Sequence, residues 1–224
     1  MSGVFIAGTD TGVGKTRFAV ALLRGLVAEG VRAVGMKPVA AGIAPGARVN
    51  ADVAALRAAG NVDAPASDVN PYSFAPPIAP HLAAARLGVT IDLETIAAAY
   101  GRLRARADVV VVEGAGGVLV PLAAKLDMLD VAARLQLPVL LVVGIRLGCL
   151  NHALLSAQAI AARGIVLAGW VANRIDPAMD AADDNVAALA ERLPPPLVAD
   201  LRWSEAQEER ASVASQALRA LRIG

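Results

Sequence analysis

Short apolar runs alternate along this chain with segments whose apolar residues recur at helical spacing. The runs are rich in valine, leucine and alanine and end at glycine, proline or aspartate, which is typical of strands buried on both faces of a parallel sheet. They predict strands at 4–8, 33–37, 108–113, 138–144, 166–172 and 197–199. The segments between them predict helices at 15–29, 52–59, 93–106, 128–135, 151–163 and 183–193, and the tail predicts another at 205–221.

This order of strands and helices predicts an α/β fold with a mostly parallel central sheet and helices on both of its faces. We expect one domain over residues 1–224. The proline-rich segment NVDAPASDVNPYSFAPPIAPHLAAA shows neither the strand nor the helix period, and it is predicted to be a long loop. Long loops inside compact domains are often functional.

The composition supports one compact unit and excludes several functions. Hydrophobic residues make up 56% of the chain and aromatic residues only 3%, so helices should pack on the sheet through small aliphatic side chains. The formal net charge is +1 with no block of like charges, which gives no support to a nucleic-acid or membrane partner. Cys149 is the single cysteine and no signal sequence begins the chain, so we expect a cytoplasmic enzyme.

The stretch VFIAGTDTGVGKTRFAV joins the first predicted strand to the first predicted helix through a glycine-rich loop. Backbone N–H groups of such a loop point at phosphate oxygens, and the helix adds its positive end. Gly12 and Gly14 let the backbone come close to the phosphates. Lys15 is expected to reach the β- and γ-phosphates, and Thr16 to offer its hydroxyl to magnesium. Five residues, where the usual pattern has four, separate Gly8 from Gly14, so the loop is a variant.

Two charged residues stand where predicted strands end: Lys37 in VGMKPVAAG and Glu113 in DVVVVEGAGG. Ligands of open α/β sheets gather at the carboxyl ends of strands, so both side chains should lie near the phosphate loop. A lysine that ends a strand can equally be a solvated charge. A glutamate in this place often holds magnesium directly or through water, and the glycines after it let a ligand approach the backbone.

Asp52, in NADVAAL, has two interpretations. It stands at the start of a predicted helix, where aspartate is a favoured N-cap without any ligand, and it could also bind magnesium. The position alone favours the cap. In GIRLGCLNHALLSAQ a strand ends and a helix begins near Asn151, so free N–H groups there could receive a carboxylate. Cys149 and His152 have no companion ligands in sequence, which favours packing or capping over catalysis.

The motifs GTDTGVGKT, KPVAAG, VNPYSFAPPIAPH, VVEGAGG, RLGCLNH and LAGWVANRID, in this order and spacing, resemble the dethiobiotin synthetase family. The resemblance covers residues 4 to about 203. It implies a homodimeric, single-domain P-loop NTPase fold. It also implies an enzyme that closes a cyclic urea on diaminopelargonic acid with carbon dioxide, ATP as co-substrate and Mg²⁺. In that scheme one amine becomes a carbamate, ATP phosphorylates it, and the second amine attacks the mixed anhydride.

The resemblance assigns roles to residues at matching positions. The catalytic residues would be Lys37, Lys15 and Thr11, and magnesium would be surrounded by Thr16, Asp52 and Glu113. The implied ATP-binding set is Gly12, Val13, Gly14, Lys15, Thr16, Arg17, Asp52, Glu113, Gly114, Ala115, Gly116, Asn173, Arg174, Arg202, Trp203 and Ser204. The implied substrate set is Thr11, Lys37, Ala41 and Pro80, with Leu147, Gly148, Cys149, Leu150 and Asn151 supplied by the neighbouring subunit.

The chain departs from the family pattern at two places. Ala41 stands where the family often has serine or threonine, so a hydroxyl contact with the substrate is absent there. Arg202 and Trp203 stand where the family often has Pro-Trp, in the segment implied to help bind adenine. Neither change affects the implied phosphate or metal set.

Two other classes share a phosphate loop. A related amidoligase would need a glutamine-hydrolysing domain, for which we expect no room after Trp203. A partitioning or septum-placement ATPase carries an extra lysine early in the loop, where this chain has Asp10. Such ATPases also use a basic amphipathic tail to bind membranes, and no such tail is recognised here. Both classes remain alternatives to the synthetase.

Overall fold

The computed structural model of the protein describes residues 3–202. Trp203, Ser204 and the helix expected over 205–221 lie outside the described residues, and one domain over the whole of 1–224 stays a prediction. The strands are β1 (Gly3–Gly8), β2 (Ala33–Met36), β3 (Val39–Ala41), β4 (Tyr72–Phe74), β5 (Val109–Glu113), β6 (Pro121–Ala123), β7 (Leu126–Asp127), β8 (Val139–Ile145), β9 (Leu167–Arg174) and β10 (Leu197–Leu201). The helices are α1 (Lys15–Ala28), α2 (Ala51–Ala59), α3 (Ala66–Val69), α4 (Pro80–Arg86), α5 (Leu93–Arg104), α6 (Met128–Leu135), α7 (Cys149–Ala162) and α8 (Ala182–Arg192).

Six strands form one sheet in the order β10-β9-β8-β1-β5-β2, and every neighbouring pair is parallel. β1 lies inside the sheet, where Phe5 is in register with Val112 of β5 and with Val139 of β8. The strands β1, β2, β5 and β8 are buried along their whole length. Burial on both faces explains why they stand out in the sequence as unbroken apolar runs. The predicted α/β fold with a mostly parallel sheet is confirmed.

Each face of the sheet has its own hydrophobic core, because successive residues of a strand point to opposite faces. Val4 and Ile6 of β1 belong to one core, together with Phe18 and other buried residues of α1. Phe5 and Ala7 belong to the other core, which includes buried residues of α5, α6 and α7. The sheet is therefore covered by helices on both faces, and its carboxyl edge is left for the loops.

The proline-rich segment is more regular than the long loop that we expected. It contains α3, β4 and the start of α4, and β4 pairs in parallel with β3 through Val39–Tyr72 and Ala41–Phe74. These elements have only three to seven residues, so neither period could show in the sequence. The short pairing holds the segment that leads to Pro80 next to the strand that carries Ala41.

The remaining differences are at element ends and in one small pair of strands. α7 begins at Cys149, two residues before the helix start expected at Asn151. The antiparallel pair β6–β7, after the glycine turn, was not predicted because its strands have three and two residues. No helix within residues 3–202 is long and apolar enough to cross a membrane.

Candidate active site

The phosphate loop connects β1 to α1 at the carboxyl edge of the sheet. Gly12 (φ +75°) and Gly14 (φ +93°) have left-handed backbone conformations that residues with a Cβ rarely adopt. Lys15 is the first residue of α1, and its Nζ donates to the carbonyl oxygen of Asp10 at 2.8 Å. Burial, and next the positive charge of Lys37, lower the pKa of Lys15 to about 8. An anion in the loop would stabilise the charged form of Lys15.

The amide of Asn173, at the carboxyl end of β9, fixes the turn of the loop. Its Nδ2 donates to the carbonyl oxygen of Val13 at 2.7 Å. A Cβ at Gly14 would lie only 2.1 Å from the same nitrogen. Glycine at this position is therefore required for two reasons, the left-handed backbone angle and the close contact with Asn173 of β9.

Lys37 directly follows β2 and lies buried between two carboxylates. Its Nζ donates to Glu113 Oε1 at 2.5 Å and to Asp52 Oδ2 at 2.9 Å. Glu113 ends β5 and is 0% exposed, and its Oε1 also accepts the hydroxyl of Thr16 at 2.8 Å. Lys37, Asp52, Glu113 and Thr16 thus form one cluster. The rule for carboxyl ends of strands predicted that Lys37 and Glu113 would lie at this edge, whereas the position of Asp52 alone favoured an N-cap.

Charge pairing in this cluster outweighs the cost of burial. Burial alone would lower the pKa of Lys37, but Glu113 and then Asp52 raise it above its ordinary value. Burial alone would raise the pKa of Asp52, but the Lys37 ammonium outweighs it and the pKa of Asp52 lies below its ordinary value. Lys37 and Asp52 are therefore both charged at neutral pH.

The oxygen atoms of the cluster fit a magnesium ion. The second carboxylate oxygen of Glu113, Oε2, is buried and has no hydrogen-bond partner among residues 3–202. Carboxylate and hydroxyl oxygens are the ligands that Mg²⁺ prefers. Within the same residues no three His, Cys, Asp or Glu side chains are grouped to hold a metal by themselves. This suits Mg²⁺, which usually takes one or two carboxylates and completes its shell with phosphate and water.

The N-cap interpretation of Asp52 is wrong. Asn50 is the N-cap of α2, and its Oδ1 accepts from the backbone N–H groups of Asp52 and Val53 at 3.0 and 3.4 Å. Asp52 lies in the first turn, where its carboxylate is free to contact Lys37. Asparagine and aspartate are about equally favoured as N-caps, so the sequence did not show which of the two caps the helix.

Variants at these two positions separate stability from catalysis. We expect Asn50→Ala to lower the free energy of unfolding by about 1 kcal/mol, the typical cost of losing an N-cap. Asp52→Asn should change stability less, because its side chain is 42% exposed, but should reduce turnover strongly. Urea denaturation and turnover per folded molecule measure the two effects. If Asp52→Asn were the less stable variant and kept normal turnover, Asp52 would be structural.

A cavity of about 720 Å³ opens above the loop and the charged cluster. Its wall brings together most of the residues that the sequence assigned to phosphate, metal and substrate. They are Thr11, Gly12, Gly14, Lys15, Thr16, Lys37, Ala41, Asp52, Pro80, Glu113, Ala115 and Gly116. Asn50 and residues 77–79 of the proline-rich segment complete one side of the cavity. The site is thus a cleft with fixed charge at its base and apolar residues at its rim.

The segment 147–151 does not line this cavity. Gly148 is the N-cap residue of α7 with φ +93°, and Cys149 is buried. Leu147 is 92% exposed, which is unusual for a large apolar side chain. All five residues expected to hold the substrate tail therefore lie outside the cavity of their own chain, and Leu147, Gly148 and Asn151 are exposed.

Arg17, Asn173 and Arg174, three residues of the implied ATP-binding set, form contacts within the chain. Arg17 donates to Asn173 Oδ1 at 3.4 Å and to the carbonyl oxygen of Arg202 at 3.1 Å. Arg174 forms ion pairs with Asp200 at 2.7 Å and Asp183 at 2.6 Å. These contacts place Arg17 and Asn173 beside the phosphate loop, whereas Arg174 is occupied by carboxylates. Their role in binding ATP, and that of Asn173 toward adenine, stay predictions.

Two residues near the site were missed by the analysis of the sequence. Asn50 caps α2 and lines the cavity, and the preference of asparagine for N-caps was an available signal. Arg146 directly follows β8 and pairs with Asp10 of the phosphate loop. The rule applied to Lys37, that charges at carboxyl ends of strands meet, would have selected Arg146 as well.

The fold and the phosphate loop define a P-loop nucleotide-binding protein. A family model described as an AAA domain matches residues 2–210. Similar solved structures include the MinC:MinD cell division complex of Aquifex aeolicus, with a TM-score of 0.58, 13% identity and coverage of 99% of this chain and 95% of that chain. A ParA family ATPase from Chlorobium tepidum TLS has a TM-score of 0.55 and 13% identity, over 100% and 93% of the two chains. At these identities the likeness shows the fold alone.

Relatives of known name are much more similar in sequence. An ATP-dependent dethiobiotin synthetase BioD of Aromatoleum aromaticum is 56% identical over 87% of this chain and 87% of its own length. Proteins of the same name from Nitrosospira multiformis and Xanthomonas oryzae pv. oryzae are 53% and 50% identical over 93% and 92% of this chain, and over 91% and 93% of their own lengths. The chain belongs to the ATP-dependent dethiobiotin synthetase family.

Proposed function

We propose that this chain, an ATP-dependent dethiobiotin synthetase and therefore a ligase, closes a cyclic urea on diaminopelargonic acid with carbon dioxide, ATP and Mg²⁺. The observation that carries the proposal is the buried Lys37 ammonium, which lies between Glu113 and Asp52 at the base of a cavity shared with the phosphate loop. Transfer of a phosphoryl group to a carbamate develops charge on oxygens, and fixed positive charge is the main help that a protein gives.

The proposed reaction has three steps. One amine of the substrate attacks carbon dioxide and loses a proton, which gives a carbamate. A carbamate oxygen then accepts the γ-phosphoryl group of ATP, and ADP leaves. The second amine attacks the carbamate carbon and loses a proton, the bond from that carbon to the phosphorylated oxygen breaks, phosphate leaves with the electron pair of that bond, and the urea ring closes. The phosphoryl group thus converts an oxygen into a leaving group.

The chain's own residues have separate tasks in these steps. Lys15 lies in the loop and would neutralise the γ-phosphoryl group, and Lys37 would neutralise the carbamate. Thr11, at the exposed turn of the loop, would lie beside the amines. Thr16, Asp52 and Glu113 would hold Mg²⁺, which when bound supplies Lewis-acid charge to phosphate oxygens.

We propose the remaining contacts with the nucleotide from the geometry of the phosphate loop and from the resemblance to the family. The N–H groups of Gly12, Val13 and Gly14 would surround the phosphates, because the loop precedes the positive end of α1. We propose that Asn173, beside Gly14, helps to bind the base. The other proposed contacts with ATP are Arg17, Arg174, Gly114, Ala115, Gly116, Arg202, Trp203 and Ser204.

The carboxylate tail of the substrate needs a second site. Among the described residues, the cations that line the cavity are Lys15 and Lys37, which we assign to the γ-phosphoryl group and the carbamate, and segment 147–151 lies outside the cavity at the start of α7. We propose that the chain is a homodimer in which this segment, with the positive end of α7, receives the tail of the substrate bound in the neighbouring subunit. The N–H of Cys149 is already bonded to the carbonyl oxygen of Arg146, so the other N–H groups of the segment would contact the tail. The exposed leucines Leu147 and Leu155 suit such an interface.

A monomeric variant tests this arrangement. Leu155 lies on α7, is 56% exposed and is outside the proposed substrate set, so Leu155→Glu should separate the subunits. We expect the monomer to bind ATP normally and to lose diaminopelargonic acid, with at least a tenfold weaker affinity. Calorimetric titration of both ligands against monomer and dimer measures this, with Val166→Glu as the control at an exposed position outside α7. Unchanged affinity for the diamine in the monomer would place the tail site within one chain.

Two alternatives are less well supported by the site. A partitioning ATPase would have lysine early in its phosphate loop, whereas Asp10 is tied there to Arg146. A glutamine-dependent amidoligase would need a nucleophilic cysteine, whereas Cys149 is buried at the start of α7. We propose a cytoplasmic location, where ATP and the diamine are available, and no nucleic-acid or membrane partner.

A product assay tests the function directly. The purified protein is mixed with ATP, Mg²⁺, bicarbonate and diaminopelargonic acid, and the ureido product is identified by mass together with ADP and phosphate. Reactions without the diamine show how much ATP is hydrolysed alone. ATP turnover that is independent of the diamine and yields no ureido product would overturn the proposal in favour of a nucleotide switch.

A further inference from the structure

An ion pair joins the phosphate loop to the start of α7. Arg146 Nη2 lies 2.7 Å from Asp10 Oδ2, although the two residues are 136 positions apart in sequence. Each residue is in the connection that follows its strand, Asp10 after β1 and Arg146 after β8. The two strands are neighbours in the sheet, so their carboxyl ends lie side by side.

Asp10 connects this pair to the part of the loop that meets phosphate. Its Oδ1 accepts the backbone N–H of Thr11 at 2.7 Å, and its carbonyl oxygen accepts Lys15 Nζ at 2.8 Å. Entry of a nucleotide recruits Lys15 to phosphate and so competes with the second contact. The position of Asp10 is therefore sensitive to whether the loop is filled.

Arg146 connects the pair to the segment proposed to hold the substrate tail. Its carbonyl oxygen accepts the backbone N–H of Cys149 at 3.0 Å, which closes the turn over residues 146–149 before α7 continues. Leu147 and Gly148 lie within that turn. A shift of Arg146 would therefore shift the N–H groups that face the tail.

We propose that Arg146 is a positioning residue that couples nucleotide binding in the phosphate loop to substrate-tail binding at residues 147–151. The inference rests on the proposed function of that segment. The side chains of Arg146 and Asp10 are 42% and 46% exposed, and half-exposed pairs add little to stability. Loss of the ion pair should consequently weaken the coupling between nucleotide and substrate binding and leave the free energy of unfolding almost unchanged.

In the proposed dimer this coupling would connect two active sites. Segment 147–151 of one chain would serve the site of its neighbour, whereas Asp10 belongs to the loop of its own chain. The Asp10–Arg146 ion pair would then make substrate binding in one active site depend on whether nucleotide is bound in the other. Coupling of this kind is reciprocal, so bound diamine must tighten nucleotide binding by the same factor.

The experiment measures a coupling factor by calorimetry. Diaminopelargonic acid is titrated into the full-length protein with and without saturating Mg²⁺ and a non-hydrolysable ATP analogue, and the factor is the ratio of the two dissociation constants. We expect a factor of about 5 or more for the wild type, the usual range of allosteric coupling. Arg146→Gln should bring it close to 1, and Asp10→Asn should do the same, with no further change in the double variant.

Two further variants separate coupling from structure. Arg146→Lys keeps a cation, so its coupling factor should lie between that of the wild type and 1. Arg163→Gln is the matched control, because Arg163 ends the same helix and holds Asp127 and Asp130 at 2.6 and 2.5 Å. It should leave the factor unchanged, and urea denaturation shows whether each variant is folded.

The outcomes are distinguishable. A wild type that binds the diamine with no coupling, or an Arg146→Gln variant with the wild-type factor, would overturn the inference and leave the proposed function intact. A wild type that binds no diamine under any condition would overturn the proposed function and the inference with it. Loss of coupling in Arg163→Gln as well would mean that the whole helix, and not Arg146, carries the effect.

Discussion

We expect Lys37→Gln to lower the catalytic rate by about 100-fold or more, the scale of removing one charge-stabilising group from a closed site. Lys37 is 4% exposed and its ammonium group contacts Glu113 and Asp52, so water cannot replace its charge during phosphoryl transfer. ATP affinity should change much less, because Lys15 and the loop N–H groups remain. Rapid-quench measurement of the chemical step, with separate titration of ATP, distinguishes the two effects.

Stability must be measured on the same variant. Without Lys37 the buried Glu113 loses its partner, and breaking a buried pair typically costs about 3–5 kcal/mol. Rates are therefore divided by the number of ATP-binding sites, so that unfolded molecules are not counted. Lys125→Gln is a matched control, since Lys125 is exposed and outside the cavity. A Lys37→Gln enzyme with normal rate and weaker ATP binding would assign Lys37 to the ground-state nucleotide complex.

Glu113→Gln should cause a loss of similar or larger size. The amide keeps the shape of the side chain at a position that is 0% exposed, but it removes the charge that would face Mg²⁺. We expect turnover to fall by about 100-fold or more and the Mg²⁺ concentration at half-maximal rate to rise by at least tenfold. Mn²⁺ binding in the presence of ADP, followed by electron paramagnetic resonance, provides a measure that does not depend on activity.

Glu94→Gln is the control for this variant. Glu94 also pairs with a cation, Arg134, at 2.5 Å, but its side chain is 69% exposed and lies outside the cavity. It should show normal turnover and normal Mn²⁺ binding. Normal metal binding in Glu113→Gln, with turnover reduced, would show that Glu113 acts by holding Lys37 and not as a metal ligand.

The sequence predicted the six strands of the main sheet and the charged cluster because both depend on simple rules. Strands buried on two faces are unbroken apolar runs, and parallel strands bring their carboxyl-end residues to one edge. Lys37 and Glu113 could therefore be placed together, although 76 positions separate them. The short elements β3, β4, β6 and β7 could not be predicted, because two or three residues show no period.

The sequence could not predict the hydrogen-bond or ion-pair partner of each polar side chain. Asn50 and Asp52 are both good caps, and only the path of the chain into α2 makes Asn50 the cap. The pairing of Arg146 with Asp10 depends on β8 lying next to β1, and strand order is not contained in the local pattern. Local rules predicted which residues reach the edge, and the sheet order decided their contacts.

The interior position of β1 has a consequence for synthesis of the protein. The strand is made first, but its two neighbours in the sheet are β5 and β8, which end at Glu113 and Ile145. A chain growing from its N-terminus therefore carries a fully apolar strand without its final neighbours until residue 145 has left the ribosome. Unpaired strands of this kind associate readily with other chains. The phosphate loop directly follows β1, so it can reach its final place only after β5 and β8 have been made.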